Sequence, residues 1–180
     1  MGTVLLPIIL VRMGPYKGKF FLAVLVLIAV ISEFLRLETR LFHNIFNALF
    51  GDMLKKKEVE NLTGATAYVV TALLSSFLFN WHVVITSLFF LSLGDPVASI
   101  VGRNFGKHRI WGSKSIEGTL AFMIVALVAG FMYPTLPLIV RVLGAISAAA
   151  IELIESPIDD NVLVLLGSGA IMQILLKLFS

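Results

Sequence analysis

The 180-residue chain has no cysteine, which excludes disulfides, thiolate metal sites and cysteine nucleophiles together. It is also poor in charge: Asp, Glu, Lys and Arg make up 14% of the residues against 58% apolar ones, and the mean hydropathy is +0.98. So many apolar side chains cannot be hidden in one soluble core of this size, and an integral membrane protein is expected instead. No GxxxxGK[ST] occurs, so a Walker-type phosphate loop is excluded. No basic segment precedes the apolar stretch at 3–13 and no small-residue cleavage site follows it, so the stretch reads as a short first helix, not a cleaved signal. No repeat, low-complexity tract or linker divides the chain, which reads as one membrane domain over residues 1–180.

What is there is mostly span-forming. Crossing ~30 Å of hydrocarbon takes ~20 apolar residues, so the length allows about six or seven helices. An all-α, multi-pass helical bundle is the expected fold. After residues 3–13, too short for a clean crossing, the Gly and Pro of Met13–Lys19 predict a turn. Apolar runs follow at Phe20–Leu35, Thr63–Phe79, Val83–Val101, Leu120–Tyr133, Leu138–Ile154 and Val162–Phe179. Between Leu37 and Leu54, Leu41, Phe42, Ile45, Phe46, Leu49 and Phe50 recur at helical spacing opposite polar positions, which predicts an amphipathic helix in the interface plane. His43 on it reads as a solvated interfacial histidine. Glu33 and Arg36, three apart at the end of a run, read as a surface ion pair.

The short turns at Asn80–His82 and Pro134–Pro137 make two hairpins, so residues 36–62, 102–117 and 155–161 share one side. That side carries nine of the fourteen Lys and Arg residues (Arg36, Arg40, Lys55, Lys56, Lys57, Arg103, Lys107, Arg109, Lys114). The positive-inside bias makes it cytoplasmic. The net charge of +3 reflects that bias, and no nucleic-acid partner is expected.

One long stretch breaks the apolar pattern, GDPVASIVGRNFGKHRIWGSKSIEGT over Gly94–Thr119. Asp95 opens it about seven residues from the loop end of its span, roughly 10 Å deep, where an ionised carboxylate is costly and marks function. Pro96 suggests a helix break beside it. Ser99 and Gly102 follow on the same face. Gly102 and Gly106, then Lys107, His108 and Arg109, suit a phosphate site, although Gly-x-x-x-Gly is equally common in helix packing. Ser113-Lys114-Ser115-x-Glu117-Gly118 places hydroxyl, ammonium and carboxylate at a helix start, where the dipole favours anions. Late in the chain, Glu152, Glu155, Asp159 and Asp160 cluster acids at the same boundary; for Glu155 an ordinary solvated residue is the preferred reading.

With these motifs assembled, the sequence resembles the polyprenol, phytol and dolichol kinases and CTP-dependent diacylglycerol kinases. Glu33, Arg36, Asn47, Glu58 and Thr63–Thr66 look like the first polar block of that family. Gly94-Asp95-x-x-Ala98-Ser99, Gly102-Arg103-x-x-Gly106-Lys107-His108 and Lys114-Ser115-x-Glu117-Gly118-Thr119 are similar to its nucleotide signature. Glu152 and Ile158–Asn161 resemble its C-terminal block. Two departures stand out: nothing before Phe20 matches the family's Arg-Lys-x-x-His-type segment, and Val164–Leu166 stands where a proline is expected.

The resemblance implies phosphoryl transfer from CTP, with Mg²⁺, to the hydroxyl of a membrane lipid alcohol. It implies metal contacts from Asp95, Asp159, Asp160 and Glu152, and catalytic roles for Asp95, Asp160, Lys114 and Glu117. Nucleotide contacts would come from Ser99, Gly102, Arg103, Gly106, Lys107, His108 and Ser115, with Asn47 and Glu58. CDP-lipid synthases share a similar acid, glycine, SK and EG block, so a cytidylyltransferase is the alternative enzyme. A small transporter using Asp95 as an ion site is the non-enzymatic one. Neither the lipid nor the oligomeric state is encoded in the spans.

Overall fold

The computed structural model describes residues 4–39, 63–112 and 114–179. The expected amphipathic helix at 37–54, His43, Asn47 and Glu58 lie wholly or mostly outside the described residues. Among the described residues six helices follow in chain order: α1 (Leu5–Glu38), α2 (Gly64–Leu78), α3 (Trp81–Phe105), α4 (Ile116–Met132), α5 (Leu138–Glu152) and α6 (Asp160–Phe179). A two-stranded antiparallel ribbon, β1 (Arg109–Trp111) with β2 (Lys114–Ser115), joins α3 to α4.

α1 is two helices joined at a kink rather than one. Gly14 takes φ 71°, ψ 178°, which only glycine adopts freely, and Pro15, needing no N–H bond at a helix start, opens the second piece. The break is therefore one residue wide, and the turn expected over Met13–Lys19 is replaced by helix that resumes at Pro15. A Cβ on Gly18 would overlap the Trp81 ring. That missing side chain lets α1 close on the start of α3.

Caps set the next boundaries where the sequence pattern placed them. Thr63 Oγ1 accepts from Thr66 N at 3.3 Å to start α2, and Asn80 Oδ1 accepts from His82 N at 2.9 Å to start α3. Each satisfies an amide that the first helical turn leaves orphaned. α3 then runs unbroken to Phe105, through Pro96 and past the expected end at Val101. Pro96 withholds one N–H from the ladder without ending the helix, so the predicted break beside Asp95 does not occur.

α3 is the hub: it packs along α4 and also touches α1, α2, α5 and α6. Val83–Leu88, Phe90 and Leu91 on it are buried, against Phe122 of α4 and Leu165 and Met172 of α6. Outside, large apolar side chains face outward, including Leu27, Phe77, Ile124 and Phe131, while Thr71, Ser75, Ser87 and Ser168 are buried between helices. Small polar residues within and apolar ones without is the arrangement of helices packed in lipid.

α1, α3 and α6 are long and apolar enough to cross a membrane. The other three have 15 to 17 residues, a rise of roughly 23–26 Å at 1.5 Å per residue. Among the described residues three helices are thus long enough to span by themselves, and the expected count of six or seven is not confirmed. Counting apolar residues overstates span length, because Phe79 and Tyr133 terminate their helices as caps and Ile154 lies beyond the end of α5.

Candidate active site

The polar ends of the helices gather at one end of the bundle. Asn161 Nδ2 donates to Gly64 O at 3.3 Å, tying the start of α6 to the start of α2. Glu33 and Arg36, expected at the surface, are buried there: Arg36 Nη2 donates to Glu33 Oε1 at 2.7 Å, and the same oxygen accepts from Thr63 N at 2.8 Å. The sequence spacing showed that the two could pair; it could not show that α2 would close over them.

Beside this sealed pair lies a cavity of about 280 Å³, walled by α3, the ribbon, the first turn of α4, the end of α5 and the start of α6. Asp95, Ser99, Gly102 and Arg103 line it from one face of α3, Lys114 and Ser115 from β2, and Glu152 and Asp160 from the two acidic helix ends. Arg109 of β1 and Thr119 of α4 complete the polar lining. Three acids thus face three cations, a wall able to take both a phosphate chain and a cation.

The glycines bring these elements together by letting α3 and α4 touch. A Cβ on Gly118 would stand 2.9 Å from Ala98 O and 3.3 Å from Gly102 Cα, and one on Gly106, the cap of α3, would overlap the side chain of Ser115, the cap of α4. What the structure shows of Gly102, Gly106 and Gly118 is close packing, the plainer of the two readings of the Gly-x-x-x-Gly spacing. That packing seats the N-terminus of α4 in the cavity wall. Ser115 Oγ accepts from Gly118 N at 3.2 Å, and the positive end of the helix dipole faces the same space.

Lys114 Nζ donates to Glu152 Oε1 at 2.7 Å and to Asp160 Oδ2 at 3.0 Å, and Thr119 Oγ1 donates to Glu152 Oε2 at 3.1 Å. Burial alone pulls the Lys114 ammonium down, but hydrogen bonds and charge from Glu152 and Asp160 outweigh it, leaving it above the ordinary lysine range. Lys114 is therefore the clasp between α5 and α6. Thr119, which the sequence offers only as the last residue of the nucleotide signature, lines the cavity one turn after the cap Ser115.

The remaining residues named from the sequence stand outside the cavity lining. Lys107 and His108 are exposed. Glu117 accepts from His108 N at 3.2 and 3.3 Å and pairs with His108 Nδ1 at 2.7 Å. The His108 ring bond is the largest cause holding the Glu117 carboxyl down to about 2. Glu117 orders the bend between α3 and β1. Asp159 Oδ1 accepts from Asn161 N at 2.8 Å and Asn161 Nδ2 at 2.7 Å, so it caps α6. Gly112, at φ 50°, lies so close to the Glu155 carboxylate that a Cβ there would overlap it. Glu155 thus packs on the ribbon turn while staying exposed.

Among the described residues no three acids or histidines approach closely enough to cage a metal unaided. The donor set suits a cation that completes its shell from phosphate oxygens and water. Mg²⁺ does so, taking one or two carboxylates alongside substrate phosphates.

No family model matches the chain, and no solved structure matches it. Three curated proteins do, each called CTP-dependent diacylglycerol kinase 1. The Eremothecium gossypii protein is 32% identical over 102 residues, 56% of this chain and 32% of its own length. The Saccharomyces cerevisiae protein is 27% identical over 109 residues, 59% of this chain and 38% of its own. The Schizosaccharomyces pombe protein is 24% identical over 107 residues, 58% of this chain and 49% of its own. The matched segments span between a third and a half of these relatives. Over those segments the chain is similar to these three proteins.

Proposed function

We propose that the chain transfers the γ-phosphoryl group of CTP to the hydroxyl of a membrane lipid alcohol, and that the cavity beside Asp95 is where it does so. The observation that carries this is the convergence, at one end of an apolar bundle, of Asp95 with Arg103, Arg109 and the Lys114–Glu152–Asp160 clasp. The relatives' names support CTP as donor and diacylglycerol as the alcohol; a polyprenol-type alcohol is the competing substrate. The Lys and Arg distribution supports a cytoplasmic cavity.

Phosphoryl transfer asks mainly for positioning and charge stabilisation. Arg103 and Arg109 offset phosphate charge, and the N-terminus of α4 adds its dipole. Asp95 and Asp160 are the residues suited to hold Mg²⁺, which when bound neutralises charge on the phosphate oxygens. Glu152 keeps Lys114 close to Asp160. The lipid oxygen bonds to the γ-phosphorus, the bond to the β–γ bridging oxygen breaks, CDP departs, and the hydroxyl proton goes to a carboxylate, Asp160 or Asp95.

The test is to give purified, reconstituted protein γ-labelled CTP, Mg²⁺ and either diacylglycerol or a polyprenol. A labelled lipid monophosphate with release of CDP is expected. Release of pyrophosphate when phosphatidic acid replaces the alcohol would make the chain a cytidylyltransferase, and full activity in Asp95→Asn would remove the site.

A further inference from the structure

A second cavity, of about 390 Å³, lies on another face of α3 and has a nearly all-apolar lining. Ile8 and Val11 of the first piece of α1, Phe89 and Leu93 of α3, and Ala129 and Met132 of α4 form its walls. Arg12 and Tyr133 stand among them as the polar members. Tyr133 Oη is 2.9 Å from His82 Nδ1, at the start of α3 and the end of α4. The polar members thus belong to the end of the bundle opposite Ser115 and Arg103. Arg12 is exposed, the one charged residue before the Gly14 break, and forms no ion pair among the described residues.

We propose that this groove is a binding site for one anionic phospholipid of the leaflet opposite the catalytic cavity, its acyl chain along Ile8 and Leu93 and its phosphate on Arg12. An apolar trough among membrane helices suits hydrocarbon, and basic pockets between such helices suit phosphate headgroups. The occupant is distinct from the kinase substrate. Leu93 and Asp95 are two residues apart, about 200° around α3 at 3.6 residues per turn, so the helix itself separates the two cavities. The first piece of α1 gives the lipid its purpose. Its nine residues rise only roughly 13 Å, well short of a ~30 Å hydrocarbon core, and a chain lying between it, α3 and α4 braces it.

Native mass spectrometry and thermal unfolding of the detergent-purified full chain, titrated with phosphatidylglycerol or phosphatidylcholine of matched acyl chains, test this independently of catalysis. Wild type is expected to retain one phosphatidylglycerol about tenfold more tightly than phosphatidylcholine, the worth of one charged hydrogen-bonding contact, and to melt later with it. Arg12→Gln is expected to bring phosphatidylglycerol down to the phosphatidylcholine level. Ile8→Trp, filling the trough from its exposed wall, is expected to weaken both lipids, with CTP binding unchanged in either variant. Equal retention of the two lipids by wild type, or headgroup preference surviving in Arg12→Gln, overturns the proposal. Arg12 is exposed, so that variant decides even if Ile8→Trp fails to fold.

Discussion

Two ionic groups sit at the same end of the bundle and have opposite fates. Glu33 and Arg36 are shut away, 5% and 1% exposed, with one carboxylate oxygen also holding the amide that starts α2. In the Lys114–Glu152–Asp160 clasp the side chains of Lys114 and Asp160 keep 16% and 30% exposure and face a cavity. Charges sealed from solvent and spanning a helix junction hold architecture. Charges that join two helix ends while still facing open space remain able to exchange partners with an incoming ion.

That contrast is sharpest where one partner is removed. Arg36→Met leaves Glu33 as a buried charge without its guanidinium, a loss of about 3–5 kcal/mol for a broken buried pair. A large drop in thermal stability in detergent is expected, with CTP affinity of the surviving folded fraction unchanged. Glu152→Gln should do the reverse. Loosening Lys114 beside Asp160 should lower kcat by about 10²-fold, the scale of one misplaced electrostatic group, with a smaller shift in unfolding temperature. If Arg36→Met destroyed nucleotide affinity while Glu152→Gln affected only stability, the division of roles would be wrong.

Packing and cap variants refine the same division. In Gly106→Ala the new methyl meets the Gly102 carbonyl of its own helix end and the side chain of Ser115, the cap of α4, so the end of α3 must shift away from the start of α4 at about 1–3 kcal/mol. Stability and activity should fall together, because this contact both holds the bundle and seats the start of α4. Thr119→Val removes the hydroxyl that reaches Glu152 Oε2, about 1 kcal/mol for one hydrogen bond. Its effect should show first as a raised KM for the nucleotide in steady-state assays.

Much of this was legible in the chain, and the limits were physical. Apolar runs, the turn at Asn80–His82 and the polar helix start at Ser115 located the helices because lipid-facing composition and chain reversals leave local marks. The acid Asp95 and the cations after it announced a site because a charge in an apolar run costs too much to be idle. Partner choice was not local. Lys114 read as a phosphate cation, and only the meeting of α5, α6 and β2 shows it held by two acids. Asp159 and Asp160 are adjacent and indistinguishable by type, yet one caps a helix and the other faces the cavity. Pro96 read as a break because its local cost is fixed, while α3 stays helical on either side by packing against five neighbours.

The smallest expected effect lies outside both ionic groups, at the bend that Glu117 holds. Its carboxyl is lowered from 4.5 to about 2, chiefly by the His108 ring. A group lowered on folding favours the folded form above its unfolded value, and the contribution is lost as pH falls toward the folded one. Amide exchange at His108 and along β1 should therefore stay slow down to about pH 4.5 and accelerate between there and about pH 2. In His108→Ala the same acceleration should begin at higher pH, since the main cause of the lowering is gone. The Lys114 clasp has the opposite sign: a lysine raised on folding contributes below its ordinary value and loses that contribution only as alkaline pH passes the raised one. Acid should thus loosen the bend before it affects the ammonium of the clasp, and an exchange profile in which both regions open together would merge the two elements into one cooperative unit.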